Sequence, residues 1–344
     1  MKFLDLFAGI GGFHLGMQQA GHKCVGYVEW NKFARQSYQV IFNTKGLYNE
    51  KDIRSVKGSE LPKADVWCFG SPCQDISVAG KQQGLKGERS SMFFEVIRLL
   101  KETDREKKPS YLLMENVKNL LSSRKGWDFT ELLHQMDEVG YDVQWSVINS
   151  SDVVPQHRER IYIVGYLRGR STRKVFPIIR KNGETNKTIR EVARIYPNRH
   201  SSDANSVIDP SGISHTVTAH SYKDSPKIMI KQVGNISDSK SFGGNPQVGR
   251  VYGTNGISPT LSTMQGGGRE PKVMVREATN NMATLTSDSR IRKLTPRECW
   301  RLQGFPDWAF DKAKASGVSN SQLYKQAGNA ATVPVIQAIA ERFK

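Results

Sequence analysis

The sequence predicts an α/β protein with a mostly parallel sheet and a second, loop-rich domain. Residues 1–170 alternate short β-rich runs with helical stretches, which is the pattern of βαβ units. Residues 171–289 are instead rich in Ser, Asn, Gly, Lys and Thr, with short β-like runs and many turn residues. A chain of 344 residues is also longer than one hydrophobic core usually supports.

The strand predictions come from short apolar or β-branched runs. The predicted strands are Lys2–Phe7, Lys23–Glu29, Asp65–Gly70, Tyr111–Glu115, Val143–Asn149 and Arg160–Tyr166. Helical stretches lie between them, near residues 12–20, 31–42, 91–103 and 127–139. Right-handed crossovers bring the carboxyl ends of the strands to one edge of the sheet, where chemistry collects in α/β proteins.

Two further helices are predicted late in the chain, at Thr295–Gln303 and Val333–Phe343. The first has a clear start, because Thr295 suits the N-cap, Pro296 the first helical position and Glu298 the position three residues on. The helical pattern therefore returns after the loop-rich region.

Composition excludes several classes of protein. No apolar run of about 18 or more residues is present, so no membrane span is predicted. Asp5 interrupts the first apolar stretch, which is unlike a signal peptide. The four cysteines, at positions 24, 68, 73 and 299, are too few and too scattered for a disulfide framework or a zinc site. We expect a cytoplasmic, nucleoid-associated protein with reduced thiols and no metal.

The formal net charge of +17 favours a polyanionic partner, most simply nucleic acid. Between Arg158 and Arg199 the chain carries twelve Arg or Lys residues against three Glu. A solvated surface is the alternative interpretation of this cluster. Phosphate contact is favoured because the cluster is long and nearly of one sign.

A repeat lies in the loop-rich region. The segment Gly212–Val217 recurs as Gly256–Leu261, and Pro226–Ile230 recurs as Pro271–Val275. Each copy predicts a strand, a variable loop and a second strand. The duplication is either a purely structural hairpin or a pair of loops presented to a long partner surface.

The segment from Asp5 to Gly12 predicts a strand, a glycine turn and a helix start. Its glycine spacing differs from the dinucleotide pattern, and no phosphate-binding lysine follows. Glu29 closes the next strand, where a carboxylate would meet ribose hydroxyls, and Asp52 with Ile53 could recognise an adenine edge. These features predict an adenosine-containing ligand that lacks a pyrophosphate.

Cys73 lies in the turn Ser71-Pro72-Cys73-Gln74, directly after the apolar run Val66–Gly70. Pro72 fixes the backbone before the thiol, which favours a defined direction for it. A buried core cysteine is the alternative, since free cysteines are often buried. The stretch from Asp75 to Ser90 has the length and glycine content of a mobile loop able to close over a site.

Two more polar segments flank apolar strands. Glu115 ends one such strand, and a partly buried glutamate can become a proton donor. Arg158 and Arg160 share a face of an extended segment that leads into another strand, where two cations would bind an anionic or carbonyl-bearing substrate. Taken singly, these could be a helix N-terminal region and surface arginines.

In their order, these motifs resemble the DNA (cytosine-5)-methyltransferase family, and the resemblance spans nearly the whole chain. The matching segments are Asp5–Gly12, Glu29, Asp52-Ile53, Pro72-Cys73-Gln74, Glu115-Asn116-Val117, Gln156–Arg160, Arg297-Glu298-Cys299, Arg301–Pro306 and Gln326–Asn329. Compact spacing is similar to that of bacterial or phage modification enzymes. Residues 171–289 match the family's variable target-recognition region only in general style.

The resemblance implies a Rossmann-like S-adenosylmethionine-dependent methyltransferase sheet with an inserted target-recognition domain. The catalytic domain would be discontinuous, at residues 1–170 and 290–344, with the recognition domain at 171–289. The Gln326–Val333 segment and the last helix would then pack against the first region. Between the two domains we expect a basic cleft wide enough for a duplex.

The resemblance also assigns roles to residues. Cys73, Glu115, Arg158 and Arg160 would be catalytic: Cys73 attacks C6 of a flipped cytosine, Glu115 protonates or hydrogen-bonds N3, and the arginines bind O2. The methyl donor S-adenosylmethionine, and its product S-adenosylhomocysteine, would be bound by Phe7, Ala8, Gly9, Ile10, Gly11, Gly12, Glu29, Trp30, Asp52, Ile53, Pro72, Asn329 and Ala330. DNA would be contacted by Gln74, Ser77, Lys81, Arg89, Thr260, Gly266, Gly267 and Gly268.

Other functions stay open at this point. A tRNA cytosine-5 methyltransferase shares several of these elements, although the long basic 171–289 region argues against it. A non-enzymatic nucleic-acid-binding protein and a nicotinamide dehydrogenase are further alternatives. We expect a monomer that acts on double-stranded DNA, in restriction-modification or phage self-protection, with a cognate endonuclease as a functional rather than a bound partner.

Overall fold

The computed structural model describes residues 1–71, 92–176, 191–194, 206–208, 227–228, 232–235, 250–253, 272–276 and 289–343. The described residues divide into two compact units. Residues 1–176 and 295–343 contribute to the first unit, and the strands between 191 and 293 form the second. The domain boundaries drawn from the sequence stay a prediction.

The first unit is built on a seven-stranded sheet in the order β3-β2-β1-β4-β5-β7-β6. Its strands are β1 (Lys2–Leu6), β2 (Lys23–Val28), β3 (Tyr48–Glu50), β4 (Val66–Phe69), β5 (Tyr111–Val117), β6 (Tyr141–Asn149) and β7 (Glu159–Leu167). Strands β1 to β5 pair in parallel, and β7 runs antiparallel between β5 and β6. The predicted α/β class with a mostly parallel sheet is confirmed.

Helices cover both faces of this sheet. The α-helices described in this unit are α1 (Gly12–Gln19), α2 (Lys32–Phe42), α3 (Met92–Glu102), α4 (Trp127–Glu138), α5 (Pro296–Leu302), α6 (Asp307–Ala315), α7 (Asn320–Asn329) and α8 (Val333–Ala340). Apolar side chains of α3 and α4 bury one face, and those of α1 and α8 bury the other. All four residues of β4 are buried, as expected for a parallel strand covered on both sides.

Three elements of this unit were missed by the sequence analysis. Strand β3 has only three residues, two of them exposed, so it lacks an apolar run. Helices α6 and α7 lie where the sequence shows mixed polar and small residues. The predicted start at Thr295 is confirmed, because its side chain and that of Glu298 form a reciprocal capping box.

The end of the chain packs against its beginning, as expected. A Cβ atom added to Gly16 of α1 would lie 2.6 Å from Cβ of Ile336, so glycine is what lets α8 approach. Gln326 of α7 accepts a hydrogen bond from Ser37 at 3.2 Å and donates one to the carbonyl of Phe33 at 3.0 Å. These contacts join the last two helices to α1 and α2.

The second unit contains a three-stranded sheet, β10-β9-β8, and a four-stranded sheet, β11-β12-β13-β14. The strands are β8 (Glu191–Arg194), β9 (Ser206–Ile208), β10 (Lys227–Ile228), β11 (Gln232–Asn235), β12 (Arg250–Gly253), β13 (Lys272–Arg276) and β14 (Ser289–Lys293). The predicted short strands of this region are therefore present in the part of it that is described.

The backbone extends the sequence repeat. Lys227 and Lys272, equivalent in the two copies, each pair with a valine of the preceding strand in a parallel arrangement. In both copies that preceding strand pairs antiparallel with an earlier strand, and both antiparallel pairs skip one residue at the same place. Three strands are thus duplicated, whereas the Gly-Ile-Ser segments lie outside the described residues.

No helix among the described residues is long and apolar enough to cross a membrane.

Candidate active site and cofactor-binding residues

The glycine turn after β1 bends through left-handed backbone. Phe7 has φ 55°, Gly9 φ 57° and Gly11 φ 86°. An added Cβ at Gly11 would lie 2.1 Å from the Phe42 ring, so this position needs glycine for both space and conformation. Gly9, in contrast, has nothing within 4 Å of the position of a Cβ. The turn therefore exposes backbone beside open space.

Glu29 follows β2 and turns its carboxylate to this backbone. The N–H of Gly9 donates to Oε2 at 2.7 Å, and the N–H of Asn31 donates to Oε1 at 2.6 Å. Burial raises the pKa of Glu29, although these N–H groups and the Arg35 guanidinium favour its charged form. Each oxygen still has capacity to accept a further hydrogen bond, as a pair of ribose hydroxyls would require.

Trp30 and Asp52 lie at the ends of adjacent strands. The N–H of Glu29 donates to the carbonyl of Glu50, which joins the end of β2 to the end of β3. Trp30 is 68 % exposed, while Ile53 is buried. Asp52 caps a short 3-10 turn by accepting from the N–H of Arg54 at 3.0 Å. The structure thus brings together the residues predicted to bind ribose and adenine.

Arg54 was not foreseen at this place. Its guanidinium forms a forked ion pair with Asp52, at 2.8 Å between Nη2 and Oδ2, and lies 5.2 Å from the centre of the Trp30 ring. The pair lowers the pKa of Asp52, because the hydrogen bonds from Arg54 favour its charged form. A basic residue two positions after an aspartate was the available indication in the sequence.

A polar cluster is buried beneath the glycine turn. The Tyr38 hydroxyl donates to Asp5 at 3.3 Å and lies 2.7 Å from Nδ1 of His14. Burial raises the pKa of Asp5 well above its usual value and lowers that of His14 to about 3. In both groups burial disfavours the charged form.

Glu115 and Arg160 form the central ion pair of the candidate active site. Nε of Arg160 lies 3.2 Å from Oε1 of Glu115, and the side chains are 14 % and 13 % exposed. The pair is possible because β5 and β7 run antiparallel, with Tyr162 opposite Glu115 and Val117 opposite Arg160. Tyr162 is fully buried, and burial raises the pKa of its hydroxyl.

The end of β4 reaches the same place. A Cβ atom added to Gly70 would lie 3.6 Å from Oε2 of Glu115. The next residue, Ser71, is buried and accepts a hydrogen bond from Nδ2 of Asn116 at 3.5 Å. The chain that leads to Cys73 therefore starts beside the Glu115 carboxylate.

Some predicted site residues lie outside the described residues. They are Pro72, Cys73, Gln74, Ser77, Lys81, Arg89, Thr260, Gly266, Gly267 and Gly268. The other three cysteines are described, and all are buried. Burial raises the pKa of Cys24 to about 12 and raises that of Cys68 well above its usual value, so neither is a ready nucleophile.

Arg158 has different partners from Arg160. It is almost fully buried, and its Nη2 donates to the carbonyls of Gly328 at 3.3 Å and Ala330 at 3.0 Å. Asn329, between these two, is exposed at the end of α7. Ala331, next along the chain, places its carbonyl 2.6 Å from where a Cβ of Gly12 would be. Arg158 thereby links the start of β7 to the segment beside the glycine turn.

A second set of buried hydrogen bonds links Gln156 and Gln303, which lie in two of the family-matching segments, but the sequence analysis did not predict their contact. Gln303 donates to Gln156 at 3.3 Å and accepts from Thr332 at 3.1 Å, and the Thr332 hydroxyl lies 2.8 Å from that of Ser150. All four side chains are buried. Their place in two separate family-matching segments was the available indication in the sequence. These hydrogen bonds support the segment on which Arg158 and Arg160 lie.

Comparison with known proteins decides the family. The model of the family described as C-5 cytosine-specific DNA methylase matches residues 1–344. The chain belongs to this family. Membership confirms the predicted family and supports methyl transfer to cytosine in DNA over the tRNA alternative.

Curated relatives of this methylase come from bacteria and phages. The type II methyltransferase M.HhaI of Haemophilus parahaemolyticus is 34% identical over 99% of this chain and 93% of its own. M.Bsp6I of a Bacillus strain is 32% identical over 99% and 98%. The orphan methyltransferase M.SPBetaI of Bacillus phage SPbeta is 28% identical over 98% and 96%.

Solved structures agree with the methylase fold. The methyltransferase EhMeth of Entamoeba histolytica has a TM-score of 0.63 at 16% identity, covering 100% of this chain and 97% of its own. The Dnmt2 methyltransferase of S. pombe has a TM-score of 0.62 at 18% identity, covering 98% and 96%. At these identities the likeness concerns the fold alone, and it confirms the methyltransferase-type sheet.

Proposed function

We propose that this methylase transfers a methyl group from S-adenosylmethionine to C5 of a specific cytosine in double-stranded DNA, through a covalent bond between Cys73 and C6. The observation that carries the proposal is the Glu115–Arg160 pair, 3.2 Å apart, beside the strand end from which Cys73 continues. Cys73 follows Gly70 by three residues in the sequence, a length of at most about 10 Å when extended, so chain length is compatible with the thiol acting beside this pair.

The glycine turn and Glu29 fit the donor without a phosphate site. Open space beside Gly9 admits a ligand, and the Glu29 carboxylate is fixed by two backbone N–H groups so that it can accept from ribose hydroxyls. Trp30, Asp52 and Ile53 would hold the adenine, with Asn329 and Ala330 beside the turn. When bound, S-adenosylmethionine supplies an electrophilic methyl group on a sulfonium, which C5 of the activated cytosine accepts.

The protein's task is to make C5 nucleophilic. The Cys73 thiolate adds to C6, and the electron pair of the C5–C6 bond moves toward C5 and the ring. Glu115 holds a proton at N3 as negative charge develops there, and Arg160 donates hydrogen bonds to O2. Loss of the C5 proton to a base then restores the double bond and releases the thiolate. Arg158 would act indirectly, because its hydrogen bonds to the carbonyls of Gly328 and Ala330 hold in place the segment that carries Arg160.

A cytosine inside a duplex cannot reach such a pair, so the base must be flipped out at a cost of a few kcal/mol. The net charge of +17 favours phosphate contacts that offset this cost. Gln74, Ser77, Lys81, Arg89, Thr260 and the glycines 266–268 are the proposed DNA contacts. The names of the relatives favour a role in restriction-modification or phage self-protection. We further propose a monomeric protein of the cytoplasm, with any cognate endonuclease acting separately.

The proposal is tested with duplex DNA and bulk tRNA as methyl acceptors. We expect radiolabelled methyl incorporation into duplex DNA only, and a covalent adduct with duplex DNA that contains 5-fluorocytosine. Cys73→Ser should abolish both signals while DNA binding persists, whereas Cys299→Ser, at a buried position, should retain both. Transfer to DNA by Cys73→Ser would overturn the assigned nucleophile, and transfer to tRNA alone would overturn the substrate. Bisulfite sequencing of a plasmid from expressing cells would give the target sequence.

A further inference from the structure

Arg54 already forms hydrogen bonds with the carboxylate of Asp52, the group that is predicted to recognise adenine. Its Nε donates to both carboxylate oxygens of Asp52 at 3.0 Å, and its Nη2 donates to Oδ2 at 2.8 Å. The backbone N–H of Arg54 adds a further bond to Oδ1 at 3.0 Å. Each oxygen of Asp52 therefore already accepts two hydrogen bonds, which is its ordinary capacity.

The same guanidinium also covers part of the neighbouring aromatic surface. It lies 5.2 Å from the centre of the Trp30 ring, within the range of a cation–π contact. Trp30 is otherwise largely exposed, and it directly follows the Glu29 carboxylate that is fixed to the glycine turn. One side chain thus contacts both the acceptor and the aromatic group at this end of the predicted cofactor site.

We infer that Arg54 is an affinity-determining residue that competes with the adenine of the cofactor for Asp52 and Trp30. An adenine amino group can bond to Asp52 only if one of the Arg54 hydrogen bonds is released. The Arg54 side chain is 55 % exposed, so it can turn into water without disturbing the core. This inference rests on the proposed cofactor function of Asp52 and Trp30.

The competition should be modest in size and sensitive to salt. Exposed ion pairs and exposed cation–π contacts are individually weak, so together they reduce the fraction of binding-competent protein by about three- to tenfold. Added salt screens an exposed pair and should free Asp52. Cofactor affinity of the wild-type protein should then rise with salt, which is an unusual direction for a charged ligand.

The test measures binding of S-adenosylhomocysteine to the full chain by titration calorimetry, without DNA and at low and high NaCl. We expect Arg54→Ala to bind about three- to tenfold more tightly than wild type at low salt. The affinity of this variant should be flat with salt, whereas that of wild type should rise toward it. Arg54→Lys, which keeps the charge but lacks the fork, should fall between the two.

Lys57→Ala is the matched control, because Lys57 lies on the same segment and is exposed, yet pairs with Glu60. Its affinity should equal that of wild type. Equal or weaker binding by Arg54→Ala would overturn the inference. Failure of the folded wild-type protein to bind S-adenosylhomocysteine at all would instead overturn the proposed cofactor function, so the two failures are distinct.

Discussion

Glu29 and Glu115 are two partly buried carboxylates at the same edge of one sheet, but they are held in different ways. Glu29 accepts hydrogen bonds from two backbone N–H groups, which cannot move without the turn itself. Glu115 is paired with the side chain of Arg160, which can turn about its own bonds. The difference suits a fixed binding group in one case and a group that changes partners with its substrate in the other.

The two places also make their bends differently. The turn beside Glu29 uses Gly9 and Gly11 for left-handed backbone, with Phe7 as the exception. The segment after Glu115 contains Arg124 and Lys125, which adopt left-handed backbone without being glycine. Non-glycine residues in this region carry strain, so the second bend is the less relaxed of the two.

The largest effect should come from Glu115→Gln. The amide cannot hold a proton at N3 in the way a carboxyl group does, so turnover on duplex DNA should fall by about 100-fold or more. S-adenosylhomocysteine affinity, measured by calorimetry, should be unchanged. Glu159→Gln is the control, because Glu159 precedes Arg160 but pairs with exposed Lys118. If the turnover of Glu115→Gln stayed within a few-fold of wild type, Glu115 would not differ from Glu29 in having a catalytic role.

Glu29→Gln should lower the affinity for the cofactor, the property that Glu115→Gln should leave unchanged. Its single carbonyl oxygen can serve only one of the two N–H groups, so we expect binding of S-adenosylhomocysteine to weaken about tenfold or more and unfolding to cost about 1–3 kcal/mol less. Calorimetry and urea unfolding measure the two effects. Glu50→Gln, at the exposed end of β3, is the control. Unchanged affinity with a large loss of turnover would show that the two carboxylates had been assigned the wrong way round.

Asp5→Asn tests the buried layer below the glycine turn. Because burial raises the pKa of Asp5, the folded protein holds a proton there that the unfolded chain releases above pH 3.8. The contribution of Asp5 to the free energy of unfolding is therefore fully present below that pH, and it is lost as the pH rises toward the pKa of Asp5 in the folded protein. Asp5→Asn should gain stability over wild type through this window, by at most about 1.4 kcal/mol per pH unit. Urea unfolding at a series of pH values measures it, and a difference that does not change with pH would contradict it.

The smallest effect is expected from Lys125→Gly. Glycine adopts the φ of 61° at this position without strain, so the free energy of unfolding should rise by about 0.5–1 kcal/mol relative to wild type. The greater entropy of glycine in the unfolded chain offsets part of this gain. Glu131→Gly, inside α4, is the opposite control and should destabilise by about 1 kcal/mol. A loss of stability in Lys125→Gly would mean that this bend is not strained.

The sequence predicted elements with a strong local pattern. Short apolar or β-branched runs predicted β1, β2, β4, β5, β6 and β7, and the helical pattern predicted α1 to α4, α5 and α8, within a few residues. It missed β3, α6 and α7, where length or composition leaves little periodicity. In the second unit it found short repeated segments, whereas strand pairing shows that three whole strands are duplicated.

What the sequence alone determined is that Glu29 and Glu115 follow apolar runs and that the order of the motifs indicates the family. Glu29 comes directly after β2, whereas β5 continues to Val117, two residues beyond the predicted strand end at Glu115. Only the tertiary structure decided which partners those residues have. Gly9 lies 20 residues from Glu29, and the carbonyl that Arg158 contacts on Gly328 lies 170 residues away. The physical reason is that periodicity depends on residues close together in the sequence, whereas long-range partners depend on the order of the strands in the sheet. Because β7 lies antiparallel beside β5, Arg160 comes close to Glu115.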